Sequence, residues 1–297
     1  MRSILSIAIA ATLALASSAH PTPRSVGGVE HNCLASAIMS GDDFRSLRKR
    51  NNAAPTLPWS YEGSAGPAFW GSLNPNYTSC SSGKRQSPIN FTPNEKISVD
   101  APFELWYPQS FDEVEVENLG ATVEVAVPAD TAFLKRDNVK YSLVQFHVHT
   151  PSETSPHHPR PTLQHHVQDK HYPSEVHFVH RNPANPADLH VVGLFLNRGT
   201  PYAEGLTGWL DEWINNVPAR KGEHTKVKDF PIGGAAKVLL SSGPFWQYEG
   251  SLTTPPCSEG VRWVVANKPL PVDETMLAAV DSLVPFSSRF TQKNQVA

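Results

Sequence analysis

Between Glu113 and Val127 the chain reads EVEVENLGATVEVAV, a strict apolar–polar alternation on both sides of Asn118-Leu119-Gly120. Alternation with period two puts every second side chain on one face of a strand, and a short polar break containing glycine turns the chain back on itself. The runs YSLVQFHVH (141–149), SEVHFVH (174–180), LHVVGLFLN (189–197) and VRWVVAN (261–267) are further strand segments, separated by proline and glycine clusters. Helical periodicity is confined to Tyr202–Asn215 and Val272–Val284, the second with Asp273 near its start. The expected fold is a single mainly β domain with short helices (α+β) over residues 59–297.

Two of these strands carry an unusual polar face. Gln145, His147 and His149 of QFHVHTPSE point one way and Phe146 and Val148 the other. In EVHFVH, Glu175, His177 and Val179 share a face, opposite Val176, Phe178 and His180. If the strands are neighbours, three imidazoles converge, which is what a catalytic zinc needs: three protein ligands and one open position. Gln145 and Glu175 are placed to hold the second ring nitrogens of His147 and His177. HExxH, CxxC and GxSxG patterns are absent, so other zinc folds and a serine hydrolase lack support.

The 297 residues are 39% hydrophobic and 18% charged with net charge −3, and no basic run interleaves with aromatics, so nucleic acid is not an expected partner. Residues 1–19 have Arg2, an apolar stretch and small residues at Ser17–Ala19, the order of a secretory signal peptide. Residues 20–58 form a polar, Pro-rich leader: either a solvated linker or a propeptide cut at Arg48-Lys49-Arg50. No later segment is apolar enough for a membrane span, so the expected localisation is extracellular. Of three cysteines, Cys33 lies in the leader, which leaves Cys80 and Cys257 as a disulfide pair. Cys33 is either removed or pairs between chains, which leaves a homodimer open. Asn76 and Asn90 head glycosylation sequons.

These residues closely resemble the α-class carbonic anhydrases. QFHVHTPSE and EVHFVH match that family's core pattern, GSLTTPPCSEGVRWVV (250–265) a second hallmark, and RQSPIN (85–90) a third. WSYEGSAGPAFWGSL (59–73) and the Arg289-x-x-Gln292 pair fit as well, so the likeness spans nearly the whole domain. It implies a central, twisted, mostly antiparallel sheet of about ten strands with one zinc at the base of a conical cleft. The activity implied is reversible hydration of CO2 to bicarbonate and a proton by a zinc-bound hydroxide, with CO2, bicarbonate and water as small-molecule partners.

By position, the resemblance makes His147, His149 and His177 the zinc ligands and Gln145 and Glu175 their supports. Thr253 matches the threonine that orients the nucleophile, and Glu153 the buried glutamate to which that hydroxyl donates. Val179, Val191, Leu252, Val261 and Trp263 match the apolar wall for CO2, with Thr254 lining the cleft. Tyr61 matches a cleft tyrosine, Tyr248 and Ser87 a supporting hydrogen-bond pair, and Cys80 and Cys257 the disulfide of extracellular members. Two departures stand out. Ala121 occupies the position of the family's proton-shuttle histidine, and alanine carries no proton. Thr154 follows Glu153 where many members have a buried structural histidine. His157, His158, His165, His166 and His171 are substitutes for the shuttle by count alone. The alternative reading is a binding domain of the same fold without turnover; an ester-hydrolysing role has no dedicated pocket in the sequence.

Overall fold

In the computed structural model, residues 57–93, 96–98, 100–150, 164–202, 204–284 and 286–293 are described. The signal peptide, most of the leader, Cys33, Glu153, Thr154, His157 and His158 lie outside them. The first strands are β1 (Asn90–Phe91), β2 (Lys96–Ser98), β3 (Glu104–Trp106), β4 (Phe111–Asn118), β5 (Val123–Ala126), β6 (Phe133–Arg136) and β7 (Val139–His149). They are followed by β8 (His166–Val167), β9 (Ser174–Asn182), β10 (Asn185–Arg198), β11 (His224–Phe230), β12 (Phe245–Ser251) and β13 (Glu259–Val272). Helices are α1 (Trp70–Leu73), α2 (Ser79–Ser82), α3 (Glu204–Asn215), α4 (Gly233–Ser241) and α5 (Glu274–Leu283).

The alternating segment forms the expected hairpin: β4 and β5 pair antiparallel with Glu117 opposite Glu124, and Gly120 has φ +77° in the turn. Eleven strands make one sheet in the order β11-β4-β5-β7-β9-β10-β13-β12-β2, with β6 joining β7 to β3. Among the described residues only β10 and β13 run parallel in it, so the expected mostly antiparallel sheet of about ten strands is found with eleven and one parallel pair. β1 and β8 form a separate two-stranded sheet.

The sheet buries both faces. Phe146, Val148, Val176 and Phe178 pack with Trp209 and Trp213 of α3, Val238 and Leu239 of α4, and Leu277 and Val280 of α5. The opposite face holds the histidines and a second apolar cluster, including Trp59, Tyr61, Val179, Val191, Leu252, Val261 and Trp263. Two-sided burial explains why β9 and β10 are nearly continuous in hydrophobic and histidine residues. Both expected helices form. In α5 the Asp273 carboxylate accepts from the Met276 N–H at 2.8 Å, a side-chain N-cap. The sequence reading missed α4, which opens with two glycines, poor helix formers. A Cβ on Gly234 would stand 2.8 Å from the Gly205 and Leu206 carbonyls, so close approach to α3 requires glycine there.

Candidate active site

β7 and β9 are neighbours, with His147 opposite His177 and His149 opposite Glu175. Opposed side chains of antiparallel strands share a face, so the three imidazoles converge as the spacing predicts. Nε2 of His147 lies 3.1 Å from Nε2 of His149, and one nitrogen each of His147, His149 and His177 lies within 4.8 Å of the others.

The remaining ring nitrogens are all held. His147 Nδ1 donates to Gln145 Oε1 at 2.9 Å, His149 Nδ1 to the Ser287 carbonyl at 2.5 Å, and His177 Nε2 to Glu175 Oε1 at 2.9 Å. These bonds fix the tautomers, so each ring turns a bare lone pair toward the other two. Two lone pairs 3.1 Å apart repel each other unless a cation lies between them. A tetrahedral zinc, bound at about 2.0–2.1 Å, spaces its nitrogens roughly 3.3 Å apart. The donor set therefore fits zinc. Burial lowers the pKa of all three histidines; the neighbouring rings lower those of His147 and His149 further, and that of His149 falls to about 3. The rings are thus neutral, the form that ligates metal. His149 and His177 are buried while His147 is half-buried, so the site opens on the His147 side.

Glu175 holds more than His177. Its Oε1 also accepts from His165 Nδ1 at 2.7 Å, and its Oε2 from the His165 backbone N–H at 3.1 Å. Burial alone would raise its pKa, but His165 and His177 hold the carboxyl well below the usual range, so it stays ionised. The chain continues from His165 Nε2 to the Tyr248 hydroxyl (2.6 Å) and on to the Ser87 hydroxyl (2.7 Å), which accepts from the Ser251 N–H. The expected Tyr248–Ser87 pair is present. Its link to the metal site through His165 was not legible, because His165 stood out only as one of several histidines in a Pro/His-rich stretch. A Cβ on Gly193, opposite His177, would stand 2.9 Å from Glu175 Oε1, so glycine leaves room for this carboxylate.

One cross-strand row contains Glu117, Glu124, His147 and His177 in register. Glu117 and Glu124 are each 1% exposed, and burial, then the Glu117 charge, pushes the Glu124 carboxyl well above the usual range. The alternation set these two residues on one face; the metal pattern gave no reason to single them out.

The matched wall residues Val179, Val191, Leu252, Val261 and Trp263 belong to one buried cluster, and the Trp263 ring centroid lies 4.8 Å from those of both His177 and His165. Thr253 is buried and Thr254 half-buried. They sit in a loop closed by Cys257 N–H to Thr254 O and Leu252 N–H to Ser258 O. The Cys80–Cys257 disulfide ties that loop to α2, 177 residues away. Arg289, fully buried, donates to Gln86 Oε1, Ser87 O and Cys80 O, and Gln292 N–H donates to Pro88 O. Ala121 is half-buried against the second apolar cluster. Tyr61 packs edge-on to Trp59, Trp70 and Phe286. Asn76 is exposed in the short 3-10 helix Pro75–Tyr77, whereas the Asn90 side chain exchanges two hydrogen bonds with Asp169.

A family model for the eukaryotic-type carbonic anhydrases matches residues 65–295. A carbonic anhydrase of Pectobacterium carotovorum is 34% identical over 238 residues, 80% of this chain and 85% of that protein. Among solved structures, the α-carbonic anhydrase of Thermovibrio ammonificans superposes with a TM-score of 0.68 at 32% identity, covering 80% of this chain and 96% of that one. The fungal α-carbonic anhydrase of Aspergillus oryzae gives 0.66 at 31%, covering 79% and 93%. With the fold, the three-histidine site and these likenesses together, the chain belongs to the eukaryotic-type carbonic anhydrase family.

Proposed function

We propose that the protein interconverts CO2 and bicarbonate with one Zn2+ held by His147, His149 and His177. The observation that carries this reading is the complete triad, each ring fixed through its second nitrogen and turned toward one point beside an apolar cluster. When bound, zinc acidifies a water that it ligates and so supplies a hydroxide nucleophile near neutral pH. Gln145, the Ser287 carbonyl and Glu175 orient the ligands, and neutral imidazoles leave the metal charge undiminished. Val179, Val191, Leu252, Val261 and Trp263 offer an apolar surface suited to CO2, and the Thr253 hydroxyl is a positioning group beside them. Ala121 cannot relay the released proton, so its passage to solvent falls to buffer or to another side chain.

Stopped-flow CO2 hydration on protein of measured zinc content tests the reading, alongside His177→Ala. Turnover by the one-zinc wild type and loss of both metal and activity in the variant are expected. An inactive wild type with one bound zinc points to the binding-domain alternative.

One observation favours that alternative. His165 is buried and bonds Glu175, as would suit the structural histidine that the resemblance places directly after the glutamate, and the residue before it is Gln164, 2% exposed. An amide in the glutamate's place would accept the Thr253 hydroxyl without adding charge; among the described residues Gln164 Oε1 has no hydrogen-bond partner. Gln164→Glu and Glu153→Gln separate the two assignments. If Gln164 fills the glutamate's place, the first variant speeds hydration and the second leaves it unchanged; the reverse pattern returns the role to Glu153.

We propose further that the protein is secreted, supported by the order of its leader and by a disulfide that an oxidising compartment sustains. Asn76 is the better glycan acceptor of the two sequons, because the Asn90 amide is engaged. Mass spectrometry of protein from culture medium tests both points.

A further inference from the structure

We propose, building on the zinc reading above, that the Thr122 hydroxyl is a positioning group for the triad: it holds the peptide between His147 and His149 where the strand pairing beside them stops. β5 pairs with β7 from Ala126 opposite Gln145 to Glu124 opposite His147, which is the last pair of that ladder. The Val127 N–H donates to the Val144 carbonyl at 3.2 Å, and bonded pairs of an antiparallel ladder recur at every second residue. The bonded positions therefore continue through Val125 and Phe146 to Val123 and Val148, and the Val148 carbonyl points toward β5.

At that step a side chain takes over from the ladder. Thr122 Oγ1 donates to the Val148 carbonyl at 2.6 Å and lies 3.2 Å from the Val123 carbonyl. It bridges the two strands where they part and the site opens: Thr122 and His147 are half-buried, whereas Val148 and His149 are buried.

The bridge is itself fixed. Across the turn the Leu119 N–H donates to Thr122 O at 3.0 Å, and the Gly120 N–H to Asn118 Oδ1 at 2.9 Å. Threonine is β-branched, so few χ1 settings compete with the one that aims its hydroxyl at β7. On its other edge β7 is held by β9, with Val148 opposite Val176 between the pairs His147–His177 and His149–Glu175. Removing the hydroxyl strips the buried Val148 carbonyl of this donor, which is costly. The peptide left loose joins two ligands, so a small rotation there turns both rings, while His177, on β9, keeps its place.

The experiment compares Thr122→Val, which keeps the branched shape and removes the hydroxyl, with Thr122→Ser, which restores it. Zinc release from the loaded chain is followed in excess chelator. Thr122→Val is expected to release zinc about tenfold faster or more, and Thr122→Ser at the wild-type rate. Ser142→Ala removes a side-chain hydrogen bond to Asp130 elsewhere on β7 and is expected to leave the release rate unchanged. In the zinc-free chain, the imidazole NMR signals of His147 and His149 are expected to shift in Thr122→Val more than those of His177. The proposal is overturned if Thr122→Val releases zinc as slowly as the wild type, if Thr122→Ser fails to restore the rate, if Ser142→Ala speeds release as much, or if the three rings shift alike. A wild type that binds no zinc at the triad refutes the zinc reading itself, and the ring signals of the zinc-free chain then still decide the role of Thr122.

Discussion

His180 sits on the core side of β9, two residues beyond the Phe178 that packs against α3, and is 0% exposed. Its Nδ1 donates to the Phe178 and His190 carbonyls at 3.1 and 3.2 Å, and its Nε2 accepts from the Tyr107 hydroxyl at 2.7 Å. Burial lowers its pKa from 6.5 to about 4, with the two carbonyl hydrogen bonds opposing the shift. The unfolded chain therefore binds a proton at this residue over a range where the folded chain does not. The resulting stability is fully present above the unfolded pKa and is lost as pH falls toward the folded one. Between about pH 7 and about pH 5 this single residue removes about 2 kcal/mol of folding stability. The perturbation is His180→Gln, an amide of similar reach that does not titrate in this range. Urea unfolding at the two pH values gives the stability gap between wild type and variant; protonation of the triad is common to both chains and cancels. The wild type is expected to be the more stable at neutral pH, with the gap closing by about 2 kcal/mol in acid. A gap of constant size would refute the reasoning, because it would mean that His180 binds its proton equally in both states.

Other outcomes follow from the site. Glu175→Gln keeps an acceptor for His177 but removes the charge shared with His165, so zinc affinity, read by competition with a chelator, should fall about 10–100-fold. Ala121→His should raise turnover in weak buffer and leave it unchanged in concentrated imidazole; an equal gain in both would deny it a proton-carrying role. Reducing the Cys80–Cys257 disulfide, which closes a loop of 177 residues, should lower stability by roughly 5 kcal/mol in the chain-entropy description. Thermal unfolding with and without reductant measures this.

Much of the active face was legible along the chain. Period two alone set Gln145, His147 and His149 on one side and Phe146 and Val148 on the other, and the helical packing around Phe146 agrees with that division. The hairpin at Asn118–Gly120 and the cap at Asp273 were local as well, since a turn and an N-cap are satisfied within a few residues. Helix α4 was hidden because its glycines serve contact with α3, a demand with no local signature. The carbonyl that holds His149 belongs to Ser287, 138 residues on, and a backbone acceptor leaves no mark in the sequence.

The sequence by itself determined that Gln145, His147 and His149 share one strand face, and Glu175 and His177 another, because strand pleating ties residue spacing to direction and needs no knowledge of distant partners. Only the tertiary structure decided which residues complete the site. Thr154 breaks the family pattern next to Glu153, and elsewhere His165 reaches both Glu175 and Tyr248. Gln164 is buried beside it, and His166 packs against His171 across a tight turn. A partner far along the chain is selected by sheet register and by the buried charge of Glu175, which no local spacing encodes.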